Sequence, residues 1–197
     1  MLNEKLKNYN IILASGSPRR QDILKSLGLD FEIRLKPVNE EFPPRLTHFE
    51  ISNYLAELKA LPFKKALSAK DILITSDTIV WHNNEALGKP RNDDEAHAIL
   101  SSLSGTTHEV ITSVCFTMQH FEKTIYDITK VTFKTLTDIE IWHYIKAYKP
   151  HDKAGAYGIQ EWIGHIGVTK IEGSYFNVMG FPIHLVYKTL NDIANDR

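Results

Sequence analysis

An apolar run, Ile11, Ile12 and Leu13, breaks into Ala14-Ser15-Gly16-Ser17-Pro18-Arg19-Arg20, after which Ile23, Leu24 and Leu27 recur at helical spacing. This order predicts a strand, a loop of small residues and a helix start, the opening of an α/β chain. Ser17 suits an N-cap, Pro18 the first helical position, and Gly28 the helix end. Ser15, Gly16 and Ser17 lack bulk, so backbone N–H groups can approach an anion closely, and the helix N-terminus directs partial positive charge at the same point. The guanidinium forks of Arg19 and Arg20 match phosphate oxygens, and an arriving anion would relieve their conflict with the helix dipole. The same residues also describe ordinary helix initiation with surface arginines.

With 197 residues and 43% hydrophobic content, the chain can bury one substantial core. It shows no linker, repeat or low-complexity tract, so residues 1–197 are read as a single domain. A net charge of -1 supplies no general field for nucleic acid, so anion recognition must be local. The lone Cys115 excludes an intramolecular disulfide and suits a small buried hydrophobe better than a catalytic thiol, having no neighbouring base in sequence. No signal-peptide core or membrane-span pattern is present, so a cytoplasmic location without membrane contact is expected.

Further along, residues 31–35 read as a strand, and Thr47 with Glu50 as a capping box for a helix bearing Ile51, Tyr54, Leu55 and Leu58. Lys59 and Lys64 fall near that helix's C-terminal end, where a solvated lysine is ordinary. Two apolar strand halves, 72–75 and 79–81, flank a polar interruption, Ser76-Asp77-Thr78, before an Asn83-Asn84 turn. Asn92 with Glu95, and Thr137 with Glu140, mark two more helix starts, and a last amphipathic helix spans about residues 182–193. Residues 110–118 and 125–133 form two long strands joined too briefly for a crossover helix, so they should pair antiparallel and make the sheet mixed. Gly155, Gly158, Gly164 and Gly167 punctuate a stretch of turns.

Asp77 stands out because burying a carboxylate between strand halves costs several kcal/mol unless it is paired, hydrogen-bonded or metal-bound. Backbone N–H donors at a strand bend are one alternative partner set. Glu40, by itself a loop acid, follows a predicted strand, and Lys89 in Gly88-Lys89-Pro90 starts from a restricted backbone or is simply a turn lysine. If these groups converge, two acids, two lysines and a basic phosphate loop suit metal-assisted phosphoryl-bond cleavage. The nine histidines form no close metal pair, and the aromatics are packing residues, although Trp81, Tyr157 or Trp162 could line a base pocket.

In these marks the chain resembles the Maf family, septum-formation-type nucleoside triphosphate pyrophosphatases related in fold to inosine triphosphate pyrophosphatase. They are 13–20, Glu40, Lys59-Ala60, Ser76-Asp77-Thr78-Ile79-Val80, Gly88-Lys89-Pro90, 152–160, Gly173-Ser174-Tyr175 and Gly180-Phe181-Pro182, in that order. The resemblance implies a mixed twisted sheet flanked by helices, two-lobed with a central cleft. It implies hydrolysis of a nucleoside triphosphate to the monophosphate and pyrophosphate with a divalent cation, Mg²⁺ or alternatively Mn²⁺, held by Glu40 and Asp77. Asp77 matches the family's proton acceptor, while Ser15, Arg20, Glu40, Lys59 and Lys89 match its other catalytic or phosphate-binding positions. Arg19, Thr78 and Gln160 occupy the positions that separate subfamilies, in a combination similar to the branch acting on dTTP and UTP. Trp81, His82 and Phe181 depart from the usual pattern and bear on pocket shape. A homodimer is also implied, and a nucleotide-binding regulator of cell division without significant hydrolysis is the alternative.

Overall fold

The computed structural model describes residues 1–195. A short helix α1 (Leu2–Leu6) precedes β1 (Asn10–Leu13), α2 (Pro18–Lys25) and β2 (Glu32–Ile33). Helix α3 (Phe49–Ala60) leads to β3 (Asp71–His82), and β4 (Glu85–Leu87) to α4 (Asp93–Leu103). Then come β5 (Thr107–Met118), β6 (Phe121–Phe133), α5 (Asp138–Tyr148), α6 (Trp162–Gly167), β7 (Val168–Glu172), α7 (Tyr175–Val178) and α8 (Ile183–Asn195). The strands form one mixed sheet in the order β2-β1-β3-β5-β6-β7, with β4 paired to β3. β1 runs parallel to both neighbours, whereas β3 with β5, and β5 with β6, are antiparallel, as the short connection between the last two requires.

Local expectations are met where the determining atoms are close in sequence. Thr137 and Glu140 form a complete capping box, and the Asn92 side chain accepts the Glu95 N–H. Glu95 turns its carboxylate to Arg91 instead of completing that second box. At α3 the Thr47 hydroxyl donates to Glu50 rather than accepting its N–H, because His48 intervenes at a positive φ of 52°. The strand expected over 31–35 shrinks to two exposed residues at the sheet edge.

The larger departure is in β3. Ser76-Asp77-Thr78 does not interrupt the strand: the ladder to β5 continues through Ser76↔Val114, Asp77↔Ser113 and Thr78↔Thr112. Backbone pairing is indifferent to side-chain polarity, and the alternation of β geometry sends these side chains to opposite faces. On one face, Ile72 and Ile74 join a core with Leu13, Leu24, Phe116, Phe181 and Leu190, while Val80 belongs to a second core with Leu100, Leu103, Val110, Phe133 and Ile145. Each of these fully buried aliphatics contributes about 1.5–3 kcal/mol. Ser76 and Thr78 occupy the gap between the two cores on that face. On the other face, Leu73 and Ile79 pack beneath α3 with Ala56, Ala60, Ile51 and Leu55. No described helix is long and apolar enough to cross a membrane.

Candidate active site

Asp77 points to the α3 face of the sheet, where Thr75 also donates its hydroxyl to the Ala56 carbonyl. Its partner is a side chain rather than the backbone N–H groups of a bend. Lys59, near the C-terminal end of α3, places its Nζ 2.6 Å from Asp77 Oδ1 and 3.1 Å from Glu40 Oε1. A cation suits that helix end, and the packing of α3 on β3 brings the ammonium to both carboxylates. Lys89 Nζ stands 4.0 Å from the other oxygen of Glu40.

The two acids are tuned in opposite directions. Burial pushes the Asp77 carboxyl above the usual aspartate range, although Lys59 and Arg20 pull against it. Burial also raises Glu40, but Lys59 and Lys89 together outweigh it and hold that carboxyl below its ordinary value. Two carboxylates pushed apart in this way suit a base and a permanently charged ligand group.

The loop after β1 has the open helix start on which the phosphate expectation rests. The Ala14 N–H still bonds Ile74 O at 2.9 Å, after which Ser15 turns its hydroxyl to the Ser17 N–H at 3.2 Å. Ser17 caps α2 without a side-chain hydrogen bond, and no acidic residue stands in the first turn, so the helix dipole there is uncompensated. Arg19 reaches Asp152 at 3.4 Å.

Arg20 differs from the expectation of a free fork. Its Nε donates to Gly180 O at 2.8 Å, one terminal nitrogen to Ser76 O at 2.9 Å and the other to Thr78 Oγ1 at 2.9 Å. Burial lowers its pKa, opposed by the charge of Asp77. Two of its five N–H groups stay uncommitted, so Arg20 is a clamp between α2, β3 and the chain before α8 that also lines the site. Gly180 is required there: its φ is 96°, and a Cβ would come 3.2 Å from Thr78 Oγ1. The Thr78 hydroxyl is shared further with Thr112 at 3.0 Å, leaving mainly its shape to face a ligand.

Two adjoining cavities, of about 120 and 680 Å³, collect Ser15, Arg19, Arg20, Glu40, Lys59, Asp77, Thr78, Lys89 and Gln160, the residues that the family resemblance marks. The larger is lined by Ser15, Gly16 and Glu40, the smaller by Asp77, Thr78 and Gln160, and Arg19, Arg20, Lys59 and Lys89 border both. Of the three aromatics considered for a base pocket, only Tyr157 lines the smaller cavity; Trp81 faces a different one and Trp162 packs on His143. Cys115 is buried in the core with its thiol pKa raised by that burial, which fits packing and not nucleophilic chemistry. Lys153 and Lys36 also border the cavities. Lys153 fell within the 152–160 run of the family resemblance without a role of its own, and Lys36 had no sequence signal beyond its type, since no regular element gives a direction to its side chain.

The donor set fits a hard divalent cation only in part. Among the described residues no group of three or more His, Cys, Asp or Glu side chains could hold a metal ion, and Lys59 bridges the two carboxylates. Mg²⁺ needs only one or two carboxylates when phosphate oxygens and waters complete its octahedron. Glu40 and Asp77 therefore fit an ion that arrives with a triphosphate, not one caged by protein alone.

Comparison with known proteins spans nearly the whole chain. The family model described as Maf-like protein matches residues 10–193. The chain is 61% identical over 194 residues to a protein of Flavobacterium johnsoniae named dTTP/UTP pyrophosphatase, covering 98% of this chain and 100% of that one. It is 53% identical to the protein of the same name from Christiangramia forsetii, covering 99% and 100%. The solved structure of the Staphylococcus aureus Ham1 protein superposes with a TM-score of 0.55 at 17% identity, over 93% of this chain and 99% of that one, and shows the shared fold.

Proposed function

The chain belongs to the Maf family, and on that premise we propose that it hydrolyses dTTP and UTP to the nucleoside monophosphate and pyrophosphate. The observation that carries the reading is the chain of charge Asp77–Lys59–Glu40 at the junction of the two cavities. A triphosphate lying over the Ser15–Arg20 loop would place its base beside Thr78, Tyr157 and Gln160 and its scissile bond beside Asp77. The larger cavity then takes the pyrophosphate end.

Asp77 orients the attacking water and takes its proton, a role served by a carboxyl whose pKa burial has raised. Lys59 and Lys89 counter the charge that develops on the phosphates, Lys59 from a largely buried position and Lys89 from the exposed rim. The uncapped N–H groups at the start of α2 add to that stabilisation. Glu40 and Asp77 would hold the divalent cation, Mg²⁺ or Mn²⁺, which when bound neutralises phosphate oxygens and lowers the pKa of a bound water. Gln160 carries both a donor and an acceptor, and so matches the O4/N3–H edge of uracil or thymine. A cytoplasmic homodimer without nucleic-acid contact completes this proposal.

Pyrophosphate release from a panel of nucleoside triphosphates, with and without Mg²⁺, tests it. UTP and dTTP should lead, and the Asp77→Asn protein should bind UTP while losing turnover by 10²-fold or more, in the range of a removed general base. Binding without release by the unaltered protein would favour the regulator, and near-normal turnover of Asp77→Asn would remove the proposed base.

A further inference from the structure

Gln160 has no strand or helix of its own: it lies between the turn at Ala154–Ala156 and α6. What holds this stretch is an ionic chain that is largely buried at Lys153 and Glu161 and emerges to solvent at Asp152. Lys153, only 8% exposed, reaches Asp152 Oδ1 at 2.8 Å and Glu161 Oε1 at 3.2 Å. Glu161 Oε2 accepts the hydroxyl of Tyr144, a fully buried residue of α5, and that same hydroxyl accepts the Gly158 N–H at 3.0 Å. At its outer end Asp152 meets Arg19. Gly158 is in close contact with what it carries, since a Cβ there would lie 2.8 Å from Glu161 Cδ and 3.0 Å from Gln160 Nε2.

We propose that Tyr144, Glu161 and Lys153 are positioning residues for base selection, fixing the backbone at Gly158 so that Gln160 meets the pyrimidine edge in one place. The inference rests on the reading of Gln160 as the group that contacts the base. Uracil and cytosine present reversed donor and acceptor patterns, and a glutamine amide can serve either by turning over. Choice between them therefore depends on the amide being held still, and slack of an ångström in its backbone erodes it. Burial and the Glu161 hydrogen bond both raise the Tyr144 pKa, so its hydroxyl stays protonated and keeps donating to Glu161. Buried charge of this kind is a weak source of net stability and a better source of defined geometry.

The test compares kcat/KM for UTP and CTP, read by pyrophosphate release, in the unaltered protein and in Tyr144→Phe and Glu161→Gln. Both substitutions preserve side-chain shape. The UTP-to-CTP ratio should fall about five- to tenfold in each, the range set by losing one or two buried hydrogen bonds. The KM for UTP should rise with kcat changed less than about twofold, because the Lys59–Asp77 contact is untouched. The double variant should be no worse than the poorer single one, as both break one path. Should Tyr144→Phe fail to fold, Glu161→Gln is read alone in the same way. A purely structural role would lower the melting temperature and leave the ratio as it was; that result overturns the inference while the pyrophosphatase reading stands. An unaltered protein with no preference for UTP over CTP overturns the reading of Gln160, and the inference with it.

Discussion

Lys59 Nζ lies 2.6 Å from Asp77 Oδ1 at a place where both side chains are more than four-fifths buried, so the proposed base and its counter-charge form one unit. The same ammonium touches Glu40, and removing it would leave two acids facing each other without a cation between them.

Replacing Lys59 with methionine should therefore do more than weaken phosphate binding. Asp77 works as a base only when deprotonated, so activity is present above its pKa and is lost as pH falls through it. Burial already raises that pKa, and loss of Lys59 raises it further. The acid limb of the kcat/KM profile should begin above the ordinary aspartate range and move to still higher pH in Lys59→Met, with about 10²-fold or greater loss near neutrality. A pH–rate series on both proteins checks this, and an unmoved limb would separate Asp77 from the titration.

Glu40→Gln keeps the shape of the side chain and removes its charge. If Glu40 shares a divalent cation with the substrate phosphates, the Mg²⁺ concentration for half-maximal rate should rise about 10- to 100-fold, while saturating Mg²⁺ restores part of the turnover. Titration of Mg²⁺ into chelator-treated protein reads the effect.

Arg20→Lys should behave as a stability lesion. One ammonium cannot reach Gly180 O, Ser76 O and Thr78 Oγ1 together, and these acceptors lie in the partly buried gap between the two cores. The expected cost is about 2–4 kcal/mol in urea unfolding, with the slope unchanged.

His108 supplies a pH dependence of stability. Burial, with a smaller push from His82, lowers its pKa from 6.5 to about 3. Its Nε2 bonds the Tyr157 hydroxyl at 2.7 Å, while its buried Nδ1 has no partner. Between those two values the unfolded chain binds a proton that the folded one refuses. The stability this neutral histidine contributes is thus complete above about 6.5 and is lost as pH falls towards 3. The slope from this group approaches ~1.4 kcal/mol per pH unit, and His108→Gln should flatten it in denaturation experiments run from pH 7 down to pH 4.

Much of the architecture was legible before any coordinates, because it is decided over short spans. The Ser15–Arg20 loop between β1 and α2, the Thr137–Glu140 capping box and the antiparallel pairing of β5 with β6 each depend on residues within a few turns or one tight connection. Asp77, Glu40, Lys59 and Lys89 were candidates by residue type, and Gln160 by the family resemblance alone. What the linear order left undecided is where those side chains point. Polar Ser76-Asp77-Thr78 read as a break, yet cross-strand hydrogen bonds to β5 keep it a strand and divide its side chains between two faces. Arg20 read as a free phosphate fork, yet three acceptors hold it, one of them 160 residues away. Periodicity and capping report forces that act within a helix turn or a hairpin. The partner of a buried charge is chosen instead by which distant elements the sheet and α3 bring within about 3 Å, and only the packed tertiary structure settles that.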